Sequence, residues 1–106
     1  MASYEDFKKL ELRIAKIKEA KDHPNADRLY VLTIDLGDKT KQIIAGIRNF
    51  YKKEDLVGRE VVVIDNIDPV MLRGVESQGM LLAASDDKGM AIIAPDKEMK
   101  LGCIVK

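Results

Sequence analysis

The chain has 106 residues, 46% hydrophobic but only 5% aromatic and without tryptophan, which describes one globular domain whose modest core is built from Val, Ile, Leu, Met and Ala. Lys plus Arg and Asp plus Glu number 18 each, so net charge gives none of the support that a strongly basic balance would give to nucleic-acid binding. A single cysteine, Cys103, excludes an internal disulfide and fits a reducing compartment. Met1-Ala2-Ser3-Tyr4-Glu5-Asp6 has no basic region leading into an apolar run. No stretch approaches the roughly 20 apolar residues of a membrane span, so a cytoplasmic protein without membrane contact is expected.

The charge is less even than its sum. Residues 1–53 hold 12 basic and 8 acidic side chains and residues 54–106 hold 6 and 10, giving +4 and −4. Lys39, Lys41, Arg48, Lys52, Lys53 and Arg59 gather in the middle, where single lysines read first as solvated surface.

Along the chain, Ser3 with Asp6 can form a capping box. Phe7, Leu10, Ile14 and Ile17 then recur at helical spacing, which allows a helix from Tyr4 to Lys21. Leu10, Leu12 and Ile14 also alternate with Glu11, Arg13 and Ala15, which allows a strand from about Leu12. Asp22-His23-Pro24-Asn25 breaks the chain. Tyr30, Leu32, Ile34 and Leu36 alternate through a half-buried strand, and after Gly37-Asp38 the run Lys39–Ala45 can return as its hairpin partner. Residues 46–58 read as irregular or briefly helical. Arg59–Asp65, with four consecutive aliphatics, reads as a strand buried on both faces. Met80–Ser85 and Met90–Ala94 flank Asp86-Asp87-Lys88-Gly89 as a second hairpin, and Leu101–Val105 reads as a last edge segment. Five or more short strands with little helix predict an all-β barrel or sandwich, and a five-stranded OB-fold barrel fits the count and the length.

The stretch from Asn66 to Ala84 stands out. Arg73 lies beside Gly74 and Ser77-Gln78 beside Gly79, a pattern of sharp bends that present a few polar groups. Together with Asp6–Ala15, His23-Pro24-Asn25-Ala26-Asp27-Arg28-Leu29, Ile34–Gly37, Gln42–Ile47, Leu56–Arg59 and Leu101–Lys106, it resembles the tRNA-binding domain of the methionyl-tRNA synthetase carboxy-terminal, or beta-subunit, type. The resemblance covers nearly the whole chain, residues 1–106, as one domain. It implies an OB-fold with a short amino-terminal helix to about Lys9, a strand after it, and a carboxy-terminal extension. It also implies a tRNA-binding accessory protein that reads the folded tRNA by shape and backbone, with a methionyl-tRNA synthetase catalytic subunit as a possible partner. Free-standing members resemble symmetric dimers in which the amino-terminal segment and the chain end meet, which here designates Phe7, Leu10, Leu101, Ile104 and Val105. Around Asp68-Pro69-Val70-Met71 the family commonly carries Lys or Arg, and this chain has an acid and two apolar residues.

As tRNA-binding candidates we single out Arg73, whose guanidinium can fork onto a phosphate, and Ser77 and Asn66, which offer small hydrogen-bonding groups. Met80 belongs to the same stretch, and Lys41, Arg48 and Arg28 would add charge. Each has a plainer role open to it. Asn66 can satisfy the backbone of its own turn, Ser77 can cap the next strand, and Met80 can fill core space. The core has first claim on Tyr30, Phe50 and Tyr51. His23, the one histidine, sits in a Pro-containing turn without a nucleophile to serve and reads as structural. No Gly-rich phosphate loop, metal-ligand cluster or nucleophile–base pair is present in the sequence, so neither catalysis nor a cofactor is expected. A homodimerising module that bridges a synthetase is the alternative function.

Overall fold

The computed structural model describes all 106 residues. In chain order its elements are α1 (Tyr4–Lys8), β1 (Leu12–Asp22), β2 (Tyr30–Asp35), β3 (Thr40–Ala45), α2 (Lys53–Leu56) and β4 (Glu60–Ile64). Four short strands follow, β5 (Val70–Leu72), β6 (Val75–Ser77), β7 (Met80–Leu81) and β8 (Ala83–Asp86), and then β9 (Gly89–Ile92) and β10 (Ile104–Val105).

The amino-terminal ambiguity resolves in favour of the strand. Ser3 and Asp6 form the capping box, the Ser3 hydroxyl accepting from the Asp6 amide and the Asp6 carboxylate from the Ser3 amide. The helix nevertheless ends at Lys8, and the longer helix that the Phe7–Ile17 spacing allows does not form. Burial explains why. As a strand, residues 12–17 bury Ala15 and Ile17 on one face and Leu12 and Ile14 on the other. A helix would bury a single stripe.

β1 is the spine of the sheet. One edge pairs with β4, from Leu12↔Ile64 to Lys16↔Glu60. The other pairs with β2, from Lys16↔Asp35 to Asp22↔Tyr30 across a bulge between Ile17 and Glu19, and with β10 at Leu12↔Val105. β2 and β3 form the expected hairpin from Asp35↔Thr40 to Tyr30↔Ala45, and β7 adds to β4 at Ile64↔Met80. The sheet order is thus β3-β2-β1-β4-β7. It curls until the Gln78 amide donates to the Gln42 carbonyl (2.8 Å) while Gln78 Oε1 accepts from the Gln42 amide (2.9 Å). This nearly closed five-stranded antiparallel barrel is the OB-like architecture expected.

Tyr30, Leu32, Ile34 and Leu36 fill the barrel with Ala15, Ile17, Ile43, Ile47, Leu56, Val61 and Val63. Leu12, Ile14, Val62 and Ile64 point outward and form a second cluster, against which Leu82, Leu101, Cys103 and Val105 pack. The second hairpin is shorter than predicted, because Met80–Leu81 joins β4 and only Ala83–Asp86 pairs with Gly89–Ile92.

At one end of the barrel the inward face changes from apolar to ionic. The buried Asp65 carboxylate accepts from Arg13 Nη1 (2.8 Å) and lies 3.0 Å from Lys39 Nζ and 2.7 Å from Lys41 Nζ. The Lys41 ammonium aims its hydrogen bonds at the carbonyls of Asp65 (2.7 Å) and Gln78 (3.2 Å), so its contact with Oδ1 is coulombic and leaves that oxygen without an aligned donor. Arg13 also donates to the carbonyls of Gly102 (3.0 Å) and Leu36 (3.3 Å) and to Asp38 (3.0 Å). A Cβ at Gly102, whose φ is +87°, would strike the Leu36 carbonyl oxygen and Arg13 Nη2. Burial pushes the Asp65 carboxyl upward, but the close positive charges of Lys41, Arg13 and Lys39 outweigh it and hold the group well below the usual carboxylate range.

Removing a buried partner leaves its counter-charges uncompensated, so Asp65→Asn should lower the unfolding free energy by about 3 kcal/mol in a urea titration at neutral pH. Because the folded-state pKa lies below the ordinary value of 3.8, the contribution is complete above that value and is lost as pH falls through and below it. The wild type should therefore lose more stability than Asp65→Asn as pH falls below about 4. Parallel acid limbs in the two proteins would remove Asp65 as the source.

Candidate nucleic-acid interface

The segment from Asn66 to Met80 folds back on itself. β5 and β6 pair from Val70↔Ser77 to Leu72↔Val75, and Arg73-Gly74 makes the two-residue turn with φ of 54° and 90°. Two left-handed residues in a two-residue hairpin match the right-handed twist of its strands. Gly accepts such a φ freely, whereas at Arg73 it costs about 1–2 kcal/mol. Arg73 is the only non-glycine residue with positive φ in the chain. A strained residue of this kind persists where its surroundings hold it.

The turn after β1 supplies the hold. Asn25 Nδ2 donates to the Arg73 carbonyl (3.1 Å), and Arg73 Nη2 donates back to the Asn25 carbonyl (3.3 Å). Arg28, from the same turn, is exposed and has no carboxylate partner, and neither has Arg73. Both line one open cleft of about 390 Å³ with Asn25, Ala26, Asp27 and Leu29. Two guanidinium groups 45 residues apart in the chain thus face a common space, with donors suited to phosphate oxygens.

The other candidates lie elsewhere or are engaged. Arg48 is half-buried behind the same turn, 3.4 Å from the Asp22 carboxylate and donating to the Ala26 carbonyl. Lys41 belongs to the ionic cluster around Asp65. The Asn66 amide ties two segments together, accepting from the Glu11 amide and donating to the Lys9 carbonyl, both at 2.7 Å. The Ser77 hydroxyl is 4% exposed, accepts from the Ile44 amide (2.9 Å) and donates to the Gly79 carbonyl (3.0 Å), which locks β6 against β3. Both side chains thus serve backbone groups, but Asn66 joins distant segments where its sequence context suggests its own turn, and Ser77 reaches β3 as well as the start of β7. Met80 is 49% exposed and lines an apolar cleft with Ile67, Val70 and Leu72, a different surface from the arginine cleft.

Tyr30 is buried and donates to the Tyr51 carbonyl (2.6 Å), and Tyr51 accepts from the Ile92 amide (3.0 Å), so the core claims both. Phe50 stays on the surface. Phe7, Leu10 and Ile104 are exposed, whereas Leu101 and Val105 are half-buried and pack against the outward-facing cluster of β1 and β4. Sequence reasoning missed Asn25 altogether. Its position after Pro24 marks a turn, and nothing local reveals that its partner is 48 residues away.

Residues 12–103 match the family model described as "Putative tRNA binding domain". Methionine–tRNA ligase of Thermococcus kodakarensis is 56% identical over 104 residues, which cover 98% of this chain and 14% of that protein. Among solved structures, a MetRS-related protein from Pyrococcus horikoshii superimposes with a TM-score of 0.93 at 28% identity, covering 100% of this chain and 98% of the other. The CsaA chaperone protein from Picrophilus torridus also reaches 0.93, at 30% identity with full coverage of both chains. No helix is long and apolar enough to cross a membrane. With the family match spanning most of its length, the chain belongs to the tRNA-binding domain family, alongside the carboxy-terminal domain of methionyl-tRNA synthetases.

Proposed function

We propose that the chain is a non-catalytic accessory module that raises the tRNA affinity of a methionyl-tRNA synthetase, and that the cleft between Arg28 and Arg73 is where it grips the tRNA backbone. The convergence of these two unpaired guanidinium groups on one cleft carries the reading. Folded RNA is recognised largely through phosphates and 2′-hydroxyls, and paired Arg forks fit phosphate oxygens better than diffuse lysines do. Arg48 holds the turn from behind, and its ion pair with Asp22 leaves it a supporting part. Ser77 acts on the interface by locking β6, which carries the Arg73 turn, against β3, while Asn66 and Lys41 hold other parts of the barrel. The synthetase catalytic subunit as partner and a cytoplasmic setting belong to the same proposal.

Few phosphate contacts imply modest affinity with a shallow dependence on salt compared with highly basic binders. Filter binding with total tRNA, at low and near-physiological salt and with single-stranded RNA as comparison, should show saturable binding that prefers folded tRNA. Arg73→Ala and Arg28→Ala should each weaken it roughly tenfold and flatten the salt dependence by about one phosphate contact, with the fold intact. Absence of tRNA binding at low salt would overturn the proposal.

A second reading rests on the outward apolar surface. Leu101 and Val105 pack on the outward cluster of β1 and β4, and Phe7, Leu10 and Ile104 add exposed apolar groups near the two chain ends, so a homodimer is part of our proposal. Ile104→Glu should shift the protein to monomer in sedimentation velocity and weaken tRNA binding if one tRNA touches both copies. Unchanged sedimentation of wild type and variant as monomers would remove the dimer.

A further inference from the structure

His23 is 3% exposed although it lies in a turn, and both of its ring nitrogens are occupied. The Asn25 amide lies 2.9 Å from Nδ1, and an amide N–H can only donate, so Nδ1 carries no proton. Nε2 therefore bears the hydrogen and donates it to the Leu72 carbonyl, also at 2.9 Å. The backbone amide of His23 donates to the Leu29 carbonyl (3.1 Å), which closes the turn around the ring. The imidazole thus bridges two pieces of chain. At one end it fixes Asn25, whose side chain and carbonyl grip Arg73 from both sides. At the other it fixes Leu72, the residue just before Arg73. Each hold that the turn after β1 makes on the strained hairpin turn passes through His23 or the residue it orients.

From this we infer that His23, as its Nε2–H tautomer, is the positioning residue that presents Arg73 to tRNA. The inference rests on the reading of Arg73 as a phosphate-binding group. A bulky ring at position 23 would fill the space under the turn, but only a group that accepts at one end and donates at the other can hold both Asn25 and Leu72. The carbonyl of Leu72 and the amide of Asn25 would otherwise face each other's segments without a common partner. Ring volume and ring hydrogen bonding are therefore separable by substitution.

A double-mutant cycle on tRNA affinity tests this, using His23→Phe to keep ring volume without the two hydrogen bonds. With Arg73→Ala weakening binding roughly tenfold, His23→Phe alone should weaken it by a similar factor, and the double variant should be hardly worse than either. His23→Gln, which can still donate toward Leu72, should recover part of the loss. In a long-range proton–nitrogen spectrum the single histidine should report protonated Nε2 and bare Nδ1 near neutral pH. If Arg73→Ala weakens binding while His23→Phe leaves it unchanged, or if the two losses multiply, the role of His23 is overturned and the tRNA reading stands. A spectrum showing protonated Nδ1 would overturn it too, and does so even where His23→Phe fails to fold. If Arg73→Ala has no effect, both readings fall.

Discussion

The carboxylate of Asp65 sits where the inward face of β4 runs out of apolar residues and reaches the barrel's end, and it draws Arg13, Lys39 and Lys41 to one point. Those partners arrive from β1 and from the β2–β3 hairpin, and Arg13 passes the connection on to the Leu36 and Gly102 carbonyls. A buried charge is costly unless paired and hydrogen-bonded, so the cluster forms only when all these segments are in place. It also fixes register. Arg13 pairs with Val63, and a slip of one residue in β1 would turn Arg13 into the outward apolar cluster and Leu12 toward Asp65. Conserving apolar burial alone would not forbid that slip as strongly, because both faces of β1 are hydrophobic.

Ion pairing, in this cluster and elsewhere, reshapes the electrostatics of the surface. Eight of the 18 cations stand in ion pairs, among them four of the six that crowd the middle of the sequence, Lys39, Lys41, Arg48 and Lys53. Arg59 lies over the Tyr51 ring and donates to the Asp55 carbonyl. A basic run in sequence is therefore largely neutralised in space by neighbouring carboxylates. The interface we propose is local. Arg28 and Arg73 face one cleft, and a neutral net charge is compatible with binding of this kind because a fixed fork acts at contact distance where a diffuse field is screened.

Strands were legible wherever one period dominated. The Tyr30–Leu36 alternation and the Val61–Ile64 run each announce their burial, and the structure buries them as read. The amino-terminal segment was not legible, since Phe7, Leu10, Ile14 and Ile17 satisfy a helical period that the other face of β1 overrides. Site residues were legible as residues and not as roles. Arg73-Gly74 signals a bend, yet only tertiary contact shows that Asn25 holds it. Asn66 and Ser77 carry the right chemistry for RNA, but their hydrogen-bonding groups are taken by backbone 55 to 57 and 33 residues away. Long-range satisfaction of polar groups leaves no local mark in a sequence.

At the binding position we propose, a residue with positive φ has a definite use. Arg73 could lower its backbone strain if the hairpin opened, and the turn after β1 prevents that by gripping its carbonyl and guanidinium together. The guanidinium is thereby held in place before any ligand arrives, and the conformational entropy that a long side chain would lose on binding is partly lost already in folding. With only a few contacts available, such preorganisation matters more than it would on a surface rich in lysine. The exposed aliphatics of β5 adjoin the same hairpin, so the segment that departs from the usual basic pattern at Asp68–Met71 remains a rigid support for the one arginine at its tip.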